Sequence, residues 1–250
     1  MCGLVGASGT PEEKIVKTLG CFSAERGTDS AGIGWLEGNS LKYVKNVGHP
    51  ITLIHGELSE SIKIACQNNE LIFHTRQATM GSVTPKNCHP FIDRRVLFAH
   101  NGVISNPDEF GKYEVDSESL IHGILKRNFG KYIGSIALLW IQGNILYAYS
   151  CGSPLFYGKL NGTIYLASDK SYLQEARCTK VKECREGLVY AMRNGAILNT
   201  VHVPANKITE YNVKDLEYPV NMYLTKDYLS KDEKYWWKQE DAFDHLTYKK

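Results

Sequence analysis

The chain has 250 residues, 43% of them hydrophobic, which is enough for one globular domain with a buried core and for an appendage beside it. Its 29 basic and 27 acidic residues leave a formal net charge of +2 and are interspersed, so no electrostatic footprint points to nucleic acid or to an anionic membrane. No stretch approaches the roughly 18 consecutive apolar residues of a spanning helix, and the Met-Cys-Gly-Leu-Val opening lacks a basic leader front, so a cytoplasmic protein is expected.

In chain order, Ile15, Val16, Leu19 and Phe22 have the spacing of a helix, and so do the apolar positions from Ile51 to Ala65. Short apolar runs at Leu71–Phe73 and Arg95–Ala99 read as strands. A third helical pattern, Leu120, Ile121, Ile124, Leu125 and Phe129, follows Ser117 as a plausible cap. Strand-like runs then dominate: Ser135–Ile141, Ile145–Tyr149, Thr163–Leu166 and Leu188–Met192, several too apolar to be half-exposed. Gln142-Gly143-Asn144, Asn161-Gly162 and Asn194-Gly195 sit between such runs as tight hairpin turns, because these residues accept positive φ. Largely antiparallel sheets buried on both faces need helical cover, which predicts stacked sheets between helix layers. From about Asn206 the texture turns polar and aromatic. The expected organisation is therefore a domain over residues 2–205 and an appendage over 206–250, with Trp236 and Trp237 docking on the domain or on a partner.

Seven cysteines, at 2, 21, 66, 88, 151, 178 and 184, are odd in number and form no Cys-x-x-Cys pair, which suits neither a disulfide framework nor a zinc knuckle. Cys2 is chemically distinct. Removal of Met1 would leave a thiol and a free α-amine on one residue, and an α-amine with a pKa of roughly 7.7 to 8.0 is a competent base near neutrality. The plain alternative is that Cys2 is only the second residue of a buried first strand.

Cys2 opens an ordered series of blocks: Cys2-Gly3-Leu4-Val5-Gly6, Arg26-Gly27-Thr28-Asp29-Ser30-Ala31-Gly32, His74 to Gly81, Asn87-Cys88-His89-Pro90, His100 to Asn106 and Asp116-Ser117-Glu118. Gly152-Ser153-Pro154-Leu155, Ala167-Ser168-Asp169 and Glu186-Gly187 follow. Over about residues 2 to 200 this series resembles the glutaminase domain of class II glutamine amidotransferases, which are N-terminal-nucleophile hydrolases, and most closely the glucosamine-phosphate synthase branch. The resemblance implies an α+β fold, a four-layer α/β/β/α sandwich. It also implies hydrolysis of the glutamine side-chain amide to glutamate and ammonia through a Cys2 γ-glutamyl thioester.

Roles follow residue by residue. Asn101 and Gly102 would form the oxyanion hole, although Asn-Gly alone is more often a turn. Arg76 would hold the glutamine α-carboxylate with its planar guanidinium, although a strand-end arginine is commonly a surface charge. Asp116 would receive the α-ammonium, although ahead of a helix it could be an N-cap. Thr79 and Gly102 would also touch glutamine, and Arg26 would organise the site beside the nucleophile. His74, His89 and His100 lack the short paired spacing of zinc sites, so no metal is expected, and without a phosphate-binding glycine loop no cofactor is expected either.

Two departures stand out: Gln77 where the branch has the tryptophan of its lid loop, and Met80 where it has histidine. The branch's sugar-isomerase domain is also missing from this sequence, so a separate protein that accepts ammonia is the expected partner. Competing readings are an N-terminal-cysteine amidohydrolase of another amide and a retired glutaminase fold kept as a docking module. The Arg76 and Asp116 pair, matching both charges of a free amino acid, argues against the first. The filled catalytic positions argue against the second.

Overall fold

The computed structural model describes residues 2–208. Met1, Trp236, Trp237 and nearly all of the expected 206–250 appendage lie outside the described residues. Among the described residues, thirteen strands form two sheets in which every ladder between strands is antiparallel.

The first sheet contains β1 (Gly3–Ser8), β2 (Ser30–Glu37), β3 (Ser40–Val47), β4 (Glu70–Arg76), β9 (Phe156–Leu160), β10 (Thr163–Ala167) and β11 (Thr179–Glu183), in the order β11-β9-β10-β1-β4-β2-β3. The second contains β5 (Phe91–Asp93), β6 (Val96–Ile104), β7 (Gly134–Gln142), β8 (Ile145–Cys151), β12 (Leu188–Arg193) and β13 (Ala196–His202), in the order β13-β12-β8-β7-β6-β5.

Period-2 alternation sends side chains from both sheets into one interior. Leu4 of β1, Ile72 of β4, Leu97 and Ala99 of β6, Ala137 and Leu139 of β7, and Leu166 of β10 pack together there. The other faces are buried as well. Leu138 and Trp140 of β7 pack with Leu120, Ile121 and Ile124 on the outside of the second sheet, where α4 (Ile121–Lys126) lies. The outside of the first sheet is covered by α1 (Glu13–Ser23), α2 (Pro50–His55), α3 (Ser59–Cys66) and α5 (Lys170–Glu175). The result is the expected α+β, α/β/β/α sandwich, and it explains why the central strands read as continuous apolar runs. Among the described residues, no helix is long and apolar enough to cross a membrane.

Three local expectations are corrected. The helix expected over Ile51 to Ala65 is two helices, broken at Gly56, after which Leu58 turns fully into the core and its N–H donates to Leu53 O at 2.8 Å. Ser117 caps nothing: a 3₁₀ turn, Asp116–Leu120, precedes α4, and the Ser117 hydroxyl instead meets His100 Nδ1 at 2.9 Å. The strand expected over Arg95–Ala99 runs on to Ile104, so Asn101 and Gly102 lie inside a strand rather than beyond its end.

Candidate active site

Cys2 immediately precedes β1, at the end where the strand is flanked by β4 (Gly3 opposite Thr75) and by the residues leaving β10. Packing there is close. A Cβ on Gly3 would lie 2.5 Å from both Ser23 Cβ and Thr75 Oγ1, and one on Gly27 only 2.6 Å from the carbonyl carbon of Arg76. These two glycines let the loop after α1 press against the ends of β1 and β4. Arg26, on that loop, donates from Nε to Cys2 O at 3.0 Å.

The Cys2 sulfur lies against the backbone of Gln77, the first residue beyond β4. Gln77 N–H donates to Sγ at 3.4 Å, and the thiol donates to Gln77 O at 3.5 Å. The Cys2 nitrogen, a peptide amide while Met1 is attached, donates to Asn101 Oδ1 at 3.3 Å. Asn101 comes from β6 of the opposite sheet, and its Nδ2 donates to Ser168 Oγ at 3.4 Å. Ser168 in turn accepts from Leu4 N at 2.9 Å and donates its own N–H to Leu4 O at 3.0 Å, so one serine registers β1 against Asn101.

Arg76 is 2% exposed, not a surface charge, and donates from Nη2 to Met80 O at 2.6 Å and from Nη1 to Ser82 O at 3.2 Å. Asp116 is 4% exposed, and its Oδ2 accepts from Ile104 N at 2.7 Å, which joins it to the end of β6 rather than to the helix after it. Thr79 is exposed on the loop after β4, next to Met80. Gly102 stands at φ +148° opposite Ile136. The structure therefore brings Cys2, Arg26 and Asn101 into direct contact and buries Arg76 and Asp116 close enough for their charges to act on the thiol.

Burial pushes the Cys2 thiol above its usual range; the Gln77 N–H, the chain terminus and Arg76 pull it down, and Asp116 pushes it up. With burial the largest effect, the thiol at neutral pH is protonated and needs a base before it can attack. Behind the site, burial holds His74 down to about 3 and lowers His89 and His100 as well, so all three rings are neutral. His74 Nε2 pairs with His100 O at 3.0 Å, and the His74 and His89 ring centroids lie 4.1 Å apart with the planes tilted by 30°. Among the described residues, no group of three His, Cys, Asp or Glu side chains is arranged to hold a metal ion.

Sequence reasoning gave no role to Ser168, to the Gln77 peptide or to Asp29, whose carboxylate accepts from Ala78 N at 2.8 Å. Their signal lay in the Ala167-Ser168-Asp169 and Arg26-to-Gly32 blocks, whose order was legible but whose contacts span 48 to 164 positions.

Residues 1–127 match the glutamine amidotransferase class-II family. The chain belongs to that family. Among relatives of this class-II amidotransferase, the glutamine–fructose-6-phosphate aminotransferase of Helicobacter pylori is 31% identical over 207 residues, which is 69% of this chain and 33% of the relative. The amidophosphoribosyltransferase of Methanocaldococcus jannaschii is 25% identical over 252 residues, covering 88% of this chain and 52% of the relative. The chain thus spans about a third to a half of the curated relatives it matches. The glutamine phosphoribosylpyrophosphate amidotransferase of B. subtilis superposes with a TM-score of 0.66 at 22% identity, over 80% of this chain and 49% of that one, a likeness of fold.

Proposed function

We propose that this class-II amidotransferase hydrolyses the side-chain amide of glutamine at Cys2 and delivers the ammonia to an acceptor site on a partner protein. The observation that carries this reading is the meeting of the Cys2 sulfur, the Cys2 nitrogen and Asn101 at one point between the sheets, with a buried cation and a buried anion acting on it. Removal of Met1 turns the Cys2 nitrogen into an α-amine. That amine takes the thiol proton as Sγ attacks the amide carbon, while the Asn101 side chain and the Gly102 N–H stabilise the oxyanion. The C–N bond breaks as the α-ammonium returns the proton to the leaving nitrogen, releasing ammonia and leaving a γ-glutamyl thioester. Water, deprotonated by the same amine, adds to the thioester carbon; the C–S bond breaks and glutamate and the thiol are restored.

Arg76 holds the glutamine α-carboxylate in this reading. Each terminal nitrogen of a guanidinium carries two N–H groups, so the bonds to Met80 O and Ser82 O leave one on each for substrate. Asp116 takes the α-ammonium, and Thr79 closes over the α-carboxylate from the loop. The acceptor is supported by two of the relatives, an aminotransferase and a phosphoribosyltransferase, each about two to three times the length matched here. Glutamate release by the parent and none by Cys2→Ala is the expected assay result. Equal turnover by the two would place the chemistry elsewhere.

A further inference from the structure

Asp29 lies on the turn between α1 and β2, half-buried, and faces the two residues that follow β4. One of its oxygens, Oδ2, accepts from Ala78 N at 2.8 Å and from Gln77 Nε2 at 3.1 Å. Its own N–H donates to Arg76 O at 2.9 Å, and its carbonyl accepts from Gly48 N at 3.0 Å, so the residue is fixed on both sides. Thr28 Oγ1 adds a bond to Gln77 Oε1 at 3.4 Å. The residue held in this way flanks the nucleophile: the Gln77 N–H, in the Arg76–Gln77 peptide, lies 3.4 Å from Cys2 Sγ, and the Gln77 carbonyl, in the Gln77–Ala78 peptide, lies 3.5 Å from it.

We propose that Asp29 is a positioning residue for Cys2: its carboxylate locks the Gln77–Ala78 turn so that the Gln77 N–H stays directed at the sulfur. The proposal rests on the reading of Cys2 as nucleophile. A single carboxylate oxygen shared by the Gln77 side chain and the Ala78 N–H fixes the peptide between those residues and so the backbone of Gln77, and charge-assisted bonds of this kind are the stronger ones. Without the carboxylate, Ala78 N–H and the Gln77 amide turn to water; the Asp29 N–H still bonds Arg76 O, but Gln77 is no longer held on its far side and its N–H loses its aim at the sulfur. The sulfur then loses the pull of the Gln77 N–H towards its thiolate, and only the charges of Arg76 and the chain terminus remain to oppose burial. Gln77 is suited to this latch because its side-chain amide donates to Asp29 and accepts from Thr28. The other charged groups acting on Sγ are Arg76, Asp116 and the chain terminus, with Arg26 bonded to Cys2 O.

The sign of the effect separates positioning from simple charge. Removing a nearby anion by itself makes a thiol more acidic, whereas loss of the aimed N–H makes it less acidic. The experiment is the pH profile of Cys2 alkylation by iodoacetamide in the full chain, read by peptide mass spectrometry, alongside kcat and KM for glutamine and a thermal melt. Asp29→Ala is expected to raise the alkylation midpoint by about half a pH unit or more and to lower kcat about 10-fold with KM within about a factor of two. Asp29→Asn, which keeps an acceptor oxygen, is expected to restore a midpoint at or below the parent's. Gln77→Ala, which keeps the bond from Ala78 N, should shift the midpoint upward by less. A midpoint that falls or stays fixed in Asp29→Ala overturns the proposal. If that variant does not fold, Gln77→Ala decides: a profile superposing on the parent's overturns it. Alkylation reports on the sulfur whether or not glutamine is the substrate, so a parent without glutaminase activity would sink the functional reading and leave this test standing.

Discussion

Replacing Gly102 by alanine tests the oxyanion reading through backbone geometry alone. Gly102 pairs with Ile136 at φ +148°, and a Cβ there would lie 2.0 Å from Ser135 O and 2.7 Å from His100 Nε2. Carbon and carbonyl oxygen in contact sit roughly 3.3 Å apart, so the backbone must retreat by about 1 Å. Both obstacles resist it: Ser135 O belongs to the partner strand β7, and His100 is pinned by Ser117. An oxyanion donor works only within about 2.7–3.1 Å of its target, and losing one costs roughly 100-fold or more in kcat. A strained backbone adds a stability loss of about 1–3 kcal/mol. Glutamate release at saturating glutamine, measured well below the melting point of the variant, should therefore fall by at least about 100-fold with little change in KM. A variant within about 3-fold of the parent in kcat, with an unchanged melt, would show that neither this conformation nor this N–H serves the reaction.

Asn101→Ala should likewise lower kcat by about 100-fold, whereas Arg76→Ala should act mainly on KM, since its contact to substrate precedes bond making; steady-state kinetics with the two patterns exchanged would refute the assigned roles. Burial pushes the Glu70 carboxyl from 4.5 up to about 7, against the pull of Asn194 N–H and Ser8 Oγ, so the folded state holds its proton more tightly than the unfolded chain. Stability contributed by the protonated form is then present below about pH 4.5 and lost as pH rises through about 7, by at most about 3 kcal/mol. Melts of Glu70→Gln should lack that decline between pH 5 and 8, and a decline parallel to the parent's would refute the assignment. Truncation after Ile208 should leave basal glutamine hydrolysis intact, whereas truncation after Val203 should destabilise the domain, because Pro204 O accepts from Phe129 N at 2.8 Å and the Asn206 side chain bonds Gly134 O at 2.6 Å and Tyr149 Oη at 2.9 Å. Equal melting points for the two truncations would contradict this.

Hairpins at Asn161-Gly162 and Asn194-Gly195 were legible because both residues of each turn take positive φ, 49° and 80° in one and 50° and 75° in the other, a demand few other pairs meet. The strands buried on both faces were legible for the same kind of local reason, an uninterrupted apolar run. β3 and β13 escaped because they are sheet edges whose side chains are largely exposed, so no apolar pattern marks them. Asn206, taken as the start of the appendage, is 5% exposed and knitted into the second sheet through partners 55 to 72 positions away, which a change in local texture cannot reveal. In the site, the ordered blocks made Cys2, Arg76, Asn101 and Asp116 legible as a set. What they could not convey is that Arg76 is already engaged by the carbonyls of Met80 and Ser82, or that Ser117 serves His100 and not a helix end.

In the proposed reaction the atom that attacks glutamine is Sγ of Cys2, the first residue of the mature chain. Treatment with a diazoketone analogue of glutamine, followed by intact-mass and peptide mass spectrometry, tests it directly. One adduct per chain on Cys2 Sγ, confined to molecules lacking Met1 and blocked by excess glutamine, is the predicted result. Equal labelling of chains that retain Met1, or an adduct on another cysteine with loss of activity, would overturn the assignment of Cys2 as the nucleophile.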